Sequence, residues 1–224
     1  MRFRGLIFDI GDVLYDATPW RRWLVERLNR GGVEVSYPEL VARWERLLVD
    51  VYCGRADYWE RFKDLLTSFG VDGVETAGLA LEARLMGTKV QLGRRPFDGV
   101  EETLAAVKKL GVRLAALSDS ESCAAKVRES LESLGLARYF DAVVSSLDIR
   151  APKPAPEAYW AASNALSLPL AHCAFVGHDV DELEGARAVG LFAIAFNYSV
   201  EASADEYLGD FRELLALVSG ETYL

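Results

Sequence analysis

Short apolar runs that stop abruptly at polar residues punctuate the chain. The first, Leu6 to Phe8, ends at Asp9, and Gly11 follows two residues later. A run of this length bounded by a turn signal predicts a buried strand of a parallel sheet. Runs at Val112 to Leu117, Ala142 to Val144, Ala174 to Val176 and Leu191 to Phe196 predict four more strands. Between and after them, apolar residues at helical spacing predict helices over about 99–110, 121–134 and 157–166, one through Ala186 that ends at Gly190, and a closing amphipathic helix over 207–218. Strands alternating with helices of this length predict an α/β fold with a doubly wound parallel sheet and helices on both faces.

Residues 17–90 follow another pattern. Thr18-Pro19 is a helix start, with threonine as N-cap and proline at the first helical position, and Gly31-Gly32 is the stop. Ser36 and Glu39 have the spacing of a capping box. The helix that follows carries Leu40, Val41, Trp44, Leu47 and Leu48 and is closed by Gly54. Two further helices are predicted over about 56–69 and 74–86, the last carrying Leu79, Leu81 and Leu85. The predicted organisation is an α/β core domain of residues 1–16 and 91–224 and a four-helix cap domain of residues 17–90. An insert placed directly after the first strand should hang over the carboxyl end of the sheet, above Asp9, as a lid. Asp98 and Glu101 have capping-box spacing at the return to the core. Trp20, Trp23, Tyr52, Tyr58 and Trp59 fit the core of the insert better than a substrate entrance.

Composition narrows the function. A net charge of -9 and a pI of about 4.9 leave no basic footprint for nucleic acid, and no Lys/Arg run suggests a membrane surface. An anionic substrate would have to be attracted locally, because the overall field repels it. Cys53, Cys123 and Cys173 are far apart and lack metal-binding spacing, which suits small core residues in a reducing compartment. No apolar run approaches the ~18 residues of a membrane span. The expected setting is cytoplasmic, as a monomer or homodimer.

Four predicted strands end in polar residues: Asp9, Ser118-Asp119, Ser145-Ser146 and His178-Asp179, with Lys153 in a proline-braced loop. In an open parallel sheet the crevice beyond the carboxyl ends of the strands is where ligands bind. Carboxylates, hydroxyls and an ammonium converging there suit a divalent cation and an anionic group beside a nucleophile. Asp9 and Asp179 offer hard oxygens to Mg²⁺, and a free oxygen of Asp9 could attack phosphorus. Lys153, the Ser118 hydroxyl and nearby helix N-termini would stabilise charge on a transferring phosphoryl group.

The chain resembles the haloacid dehalogenase (HAD) superfamily, in the subgroup with a helical cap inserted after the first motif. Phe8-Asp9-Ile10-Gly11-Asp12-Val13-Leu14-Tyr15-Asp16 is similar to the first motif and Leu117-Ser118-Asp119-Ser120 to the second. Pro152-Lys153-Pro154-Ala155-Pro156-Glu157 is similar to the third, and Val176-Gly177-His178-Asp179-Val180-Asp181-Glu182 to the fourth. The resemblance implies a Rossmann-like core and a phosphatase acting on a small phosphorylated metabolite through an aspartyl-phosphate intermediate. It implies Asp9 as nucleophile, Ser118, Asp119 and Lys153 around the phosphate, and Mg²⁺ held by Asp9, the Gly11 carbonyl and Asp179. It also places the Asp9 and Asp179 strands side by side at the switch point.

Two departures from the family pattern stand out. The family's phosphatases usually carry an acid two residues after the nucleophile, and that position is Gly11 here. General acid–base help is worth typically 10²–10⁴-fold, so Asp12, a water or a cap residue would have to substitute. The fourth motif is about one residue short between Gly177 and Gly185, so Asp179 or Asp181 could hold the metal, with Glu182 ranked third. His178 stands where an acidic residue is common and is expected to orient a neighbour. The alternatives are a catalytically weak binding or regulatory protein that kept the fold, and a 2-haloacid dehalogenase, which the acidic residues of the fourth motif disfavour.

Overall fold

The structure is a computed structural model, and it describes residues 2–220. The chain divides into two compact units, residues 1–16 with 95–224, and residues 17–94. No described helix is long and apolar enough to cross a membrane.

In the first unit, β1 (Gly5–Phe8), β2 (Arg113–Ser118), β3 (Ala142–Ser145), β4 (Cys173–Gly177), β5 (Phe192–Phe196) and β6 (Glu206–Leu208) form one parallel sheet in the order β3-β2-β1-β4-β5-β6. This is a doubly wound α/β sheet whose order reverses at β1, between β2 and β4. Phe8 is paired with Ala116 on one side and Val176 on the other, so the ends of β1, β2 and β4 lie level. Leu6, Ile7 and Phe8 are completely buried, as a central strand covered on both faces requires. Ile7, Ala115, Phe175, Tyr159 and Leu183 belong to a core cluster that ties the sheet to α8 (Pro156–Ala165) and α9 (Val180–Ala188).

The second unit contains α1 (Pro19–Arg30), α2 (Tyr37–Tyr52), α3 (Tyr58–Ser68) and α4 (Gly73–Gly93) around their own core of Leu24, Leu40, Trp44, Phe62, Leu65 and Leu79. Ser36 caps α2 by accepting from Glu39 N at 3.3 Å. Trp44, Trp59 and Phe62 stack edge to face inside this core, as their helical spacing predicts.

Several local expectations are corrected. Thr18 occupies the N-cap of α1 in helical geometry and makes no capping hydrogen bond through its side chain. Helix α4 does not stop near Met86 but continues to Gly93, and Gly87 lies inside it with a right-handed helical backbone. Of its predicted apolar positions only Leu79 is buried, and Leu81 and Leu85 are exposed. No Asp98–Glu101 box forms, because α5 (Val100–Lys109) is entered through Gly99 at φ 81°, and the Glu101 carboxylate pairs with Arg138 instead. Residues 206–208 are strand β6, with Tyr207 exposed and Leu208 buried in two-residue alternation, and the last described helix, α10 (Glu213–Ser219), starts later than expected. The Ser145-Ser146 pair opens a short helix, α7 (Ser146–Ile149): Ser145 Oγ accepts from Leu147 N and donates to Ser122 O, and Ser146 Oγ accepts from Ser120 N. Both serines are committed to loop structure.

Candidate active site

Asp9 is the first residue beyond β1, and its N–H continues the ladder by donating to Val176 O at 2.9 Å. Its carboxylate is nearly sealed, with the residue 7% exposed. Such a charge is tolerated only where partners meet it, and the loop between α7 and α8 supplies one. Lys153, 6% exposed, donates through Nζ to Asp9 Oδ1, to Leu117 O at 3.3 Å and toward Glu182 Oε1 at 3.2 Å. Its main-chain N–H donates to Asp119 Oδ1 at 3.1 Å, which fixes the loop against the end of β2. The other oxygen of Asp9 faces His178 Nε2 at 3.7 Å.

The loop after β4 is shaped by a helix start. Asp179 is the N-cap of α9, accepting from Glu182 N at 3.2 Å. That contact turns Glu182 inward, and Tyr159 OH donates to the Glu182 carbonyl at 2.7 Å. Gly185 makes the close approach possible: a Cβ there would lie 2.6 Å from Pro154 Cβ and 2.9 Å from Tyr159 Oη.

The electrostatics are those of one cation among several carboxylates. Burial works against the charged form of Lys153, but Asp9, Glu182 and Asp119 outweigh it and hold the ammonium well above the usual lysine range. Burial pushes the Asp119 carboxyl up to about 6, with Lys153 opposing and Asp9 and Asp179 adding to the rise. Burial also raises Glu182 well above the carboxylate range, against the pull of Lys153. Glu182 Oε2 is buried and has no hydrogen-bond partner.

The fold thus brings Asp9, Asp119, Lys153, His178, Asp179 and Glu182 together at the ends of β1, β2 and β4. Ser118 closes β2 beside Ser145, partly exposed, and among the described residues its hydroxyl makes no hydrogen bond. Gly11 bridges Tyr15 in the turn after β1. Asp12, at φ 57°, is buried in that turn and its carbonyl accepts from Asn197 Nδ2 at 2.9 Å. Of the other acidic residues of the fourth motif, Asp181 is exposed on the first turn of α9, whereas Glu182 stands beside Lys153. The Asp179-x-x-Glu182 spacing marks the start of α9, where only the Asp179 half of a capping box forms and the Glu182 carboxylate turns to Lys153 instead. Tyr159, which steadies Glu182, carried no signal beyond its helical apolar position.

Residues 3–190 match the family model for hydrolases of the haloacid dehalogenase-like type. The chain is 27% identical over 207 residues to the phosphoglycolate phosphatase of Salmonella choleraesuis, covering 87% of this chain and 81% of that one. It is 25% identical over 231 residues to the glyceraldehyde 3-phosphate phosphatase of Methanopyrus kandleri, covering 96% and 97%. The fold matches that of L-2-haloacid dehalogenase from Xanthobacter autotrophicus with a TM-score of 0.70, at 20% identity and over 98% of this chain and all of that one. It matches 2-haloacid dehalogenase from Pseudomonas syringae with a TM-score of 0.65, at 21% identity over the same shares. With the switch-point site and this match together, the chain belongs to the haloacid dehalogenase-like hydrolase family.

Proposed function

We propose that this hydrolase is a Mg²⁺-dependent phosphatase of small phosphorylated metabolites that works through an aspartyl-phosphate on Asp9. The observation that carries the reading is the Asp9 carboxylate, buried at the switch point with one oxygen on the Lys153 ammonium. The two relatives named above as phosphatases support the same class.

The donor set fits Mg²⁺. Asp9, Asp119, Asp179 and Glu182 interact around one ammonium, and Glu182 Oε2 is buried without a partner, so the site is short of positive charge. Among the described residues no three His, Cys, Asp or Glu side chains converge on one point. A cation would therefore rest on Asp9, Asp179 and the Gly11 carbonyl, with water and phosphate oxygens completing the shell, as Mg²⁺ commonly does. When bound, Mg²⁺ offsets charge on the phosphoryl oxygens.

The residues of the chain account for the remainder. An oxygen of Asp9 attacks phosphorus in line as the bond from phosphorus to the ester oxygen breaks, and the departing alcohol takes a proton from water. Lys153 stays charged throughout and, with the Ser118 hydroxyl, meets the equatorial oxygens. Water then hydrolyses the acyl phosphate, releasing inorganic phosphate and restoring Asp9. The acidic surroundings count against a 2-haloacid, whose own carboxylate would have to enter beside Asp9, Asp119 and Asp179 with the already engaged Lys153 as its ammonium.

Phosphate release from 2-phosphoglycolate, glyceraldehyde 3-phosphate and p-nitrophenyl phosphate, with Mg²⁺ and with EDTA, tests the reading. Turnover that needs Mg²⁺ and disappears in Asp9→Asn supports it. Halide release from 2-chloropropionate without metal would replace it by dehalogenation. Absence of both activities at high enzyme concentration would point to a binding protein.

A further inference from the structure

Helix α4 is apolar on two opposite faces. Thr76, Leu79, Ala80 and Ala83 are buried against the other helices of its unit. On the far side Val74, Leu81, Leu85 and Leu92 are 89%, 61%, 66% and 78% exposed, and Gly78 and Thr88 lie between them in the open. The six positions 74, 78, 81, 85, 88 and 92 are spaced alternately by four and three residues, the 3.5-residue period of a coiled-coil seam. They form one stripe about 27 Å long. Apolar residues of this size scattered singly on a surface need no explanation, whereas a continuous stripe marks a contact.

We propose that this stripe is a self-association surface that pairs α4 with α4 of a second copy of the chain in antiparallel orientation. A two-fold axis at the level of Ala83 sets Val74 against Leu92, Gly78 against Thr88 and Leu81 against Leu85. Large residues then meet large ones and small meet small, without a gap or a clash in the side-chain order.

Charge selects both the partner and the direction. Glu75 and Lys89 are exposed, form no ion pair among the described residues, and lie two heptads apart on the same flank of the stripe. Reversing one copy brings Glu75 within about two residues' rise, ~3 Å along the axis, of Lys89 of the other copy, and the symmetry makes this contact twice. A parallel pairing would instead set Lys89 against Arg84 twice, with no opposite-charge contact to offset the repulsion. The charges nearest the two-fold are already engaged within their own chain, Glu82 with Arg27 at 2.7 Å and Arg84 over the Trp59 ring at 4.4 Å. In the antiparallel pair each of these two meets its own copy across the axis, and the two Glu75–Lys89 contacts offset these two like-charge contacts.

Sedimentation equilibrium or light scattering on the full chain, over a range from nanomolar to about 100 μM, tests the proposal. The expected mass at the upper end is twice the 24.8 kDa of one chain. Leu81→Glu with Leu85→Glu should give a monomer throughout, with unchanged circular dichroism because both side chains are exposed. Lys89→Glu should weaken association by about tenfold or more through like-charge contact, and Glu75→Lys combined with Lys89→Glu should restore it. A wild-type chain that stays monomeric at every concentration overturns the proposal. So does a dimer indifferent to the leucine substitutions, or a Lys89→Glu defect that the charge swap fails to repair.

Discussion

The Lys153 ammonium holds one oxygen of the Asp9 carboxylate and leaves the other facing His178 Nε2 at 3.7 Å. The two residues are 144 positions apart in sequence, and both are almost fully buried. A buried pair of this kind contributes little if replaced whole, but removing one partner strands the other. The charge of Asp9 is therefore tolerated because the loop that carries Lys153 delivers its counter-ion.

Lys153→Met should accordingly cost about 3–5 kcal/mol of stability and abolish hydrolysis, since the Asp9 carboxylate is left buried without a cation. Adding Asp9→Asn removes the stranded charge and should recover part of the melting temperature without recovering activity, whereas Glu182→Gln should change little because burial already holds Glu182 protonated. Thermal unfolding in EDTA alongside a phosphate-release assay reads both effects. A Lys153→Met chain that melts like wild type would show that the ammonium is not what holds these carboxylates together.

Gly185→Ala should destabilise the chain by about 1–3 kcal/mol and lower turnover together. The new methyl would have to push α9 away from Pro154 and Tyr159, both rigidly placed, and Glu182 and Lys153 would move apart with them. Urea unfolding and kcat measured on one preparation check the coupling, and unchanged stability would mean that the loop yields at no cost.

Asp141→Asn should lower stability at neutral pH by about 1 kcal/mol, a figure kept small because the side chain is 40% exposed. The carboxylate accepts from Leu114 N at 2.7 Å and from Lys108 Nζ at 2.7 Å, joining the start of β3 to β2 and α5. Burial pushes its pKa up, but Lys108 and Leu114 more than offset this and leave it below the ordinary value. The stabilisation is thus present above the unfolded pKa of about 3.9 and is lost as pH falls through the lower folded value. The difference between wild type and Asp141→Asn should shrink to nothing in that acid range; a constant difference at all pH values would assign the effect to packing.

Gly11→Asp should raise kcat, and more so for an alkyl phosphate than for p-nitrophenyl phosphate. A general acid is worth typically 10²–10⁴-fold when the leaving group needs a proton, and nitrophenolate leaves without one. Equal or absent gains on both substrates would show that another group already supplies the proton.

Much of the fold was legible because its signals are local. The apolar runs ending at Asp9, Ser118 and His178 marked β1, β2 and β4, and the change of period after Asp16 marked the helical unit. The misjudged elements are those whose ends depend on neighbours. Helix α4 passes Met86 because Gly87 keeps a right-handed backbone and does not stop the helix, and β6 exists because β5 offers an open edge to Tyr207 and Leu208. The Asp98–Glu101 spacing was a true pattern without a cap, since Gly99 enters α5 at φ 81° and turns the backbone elsewhere.

By itself the sequence determined the alternating architecture, the candidate carboxylate Asp9 at the end of β1 and the gap at Gly11, because strand ends, helix starts and a missing side chain are properties of a few adjacent residues. Only the tertiary structure decided that Glu182, and not Asp181, stands beside Lys153, and that one face of α4 is left in water. Both depend on which side of a helix turns toward the rest of the molecule. That choice is made by close contacts such as Gly185 against Pro154, between residues that the chain order keeps far apart.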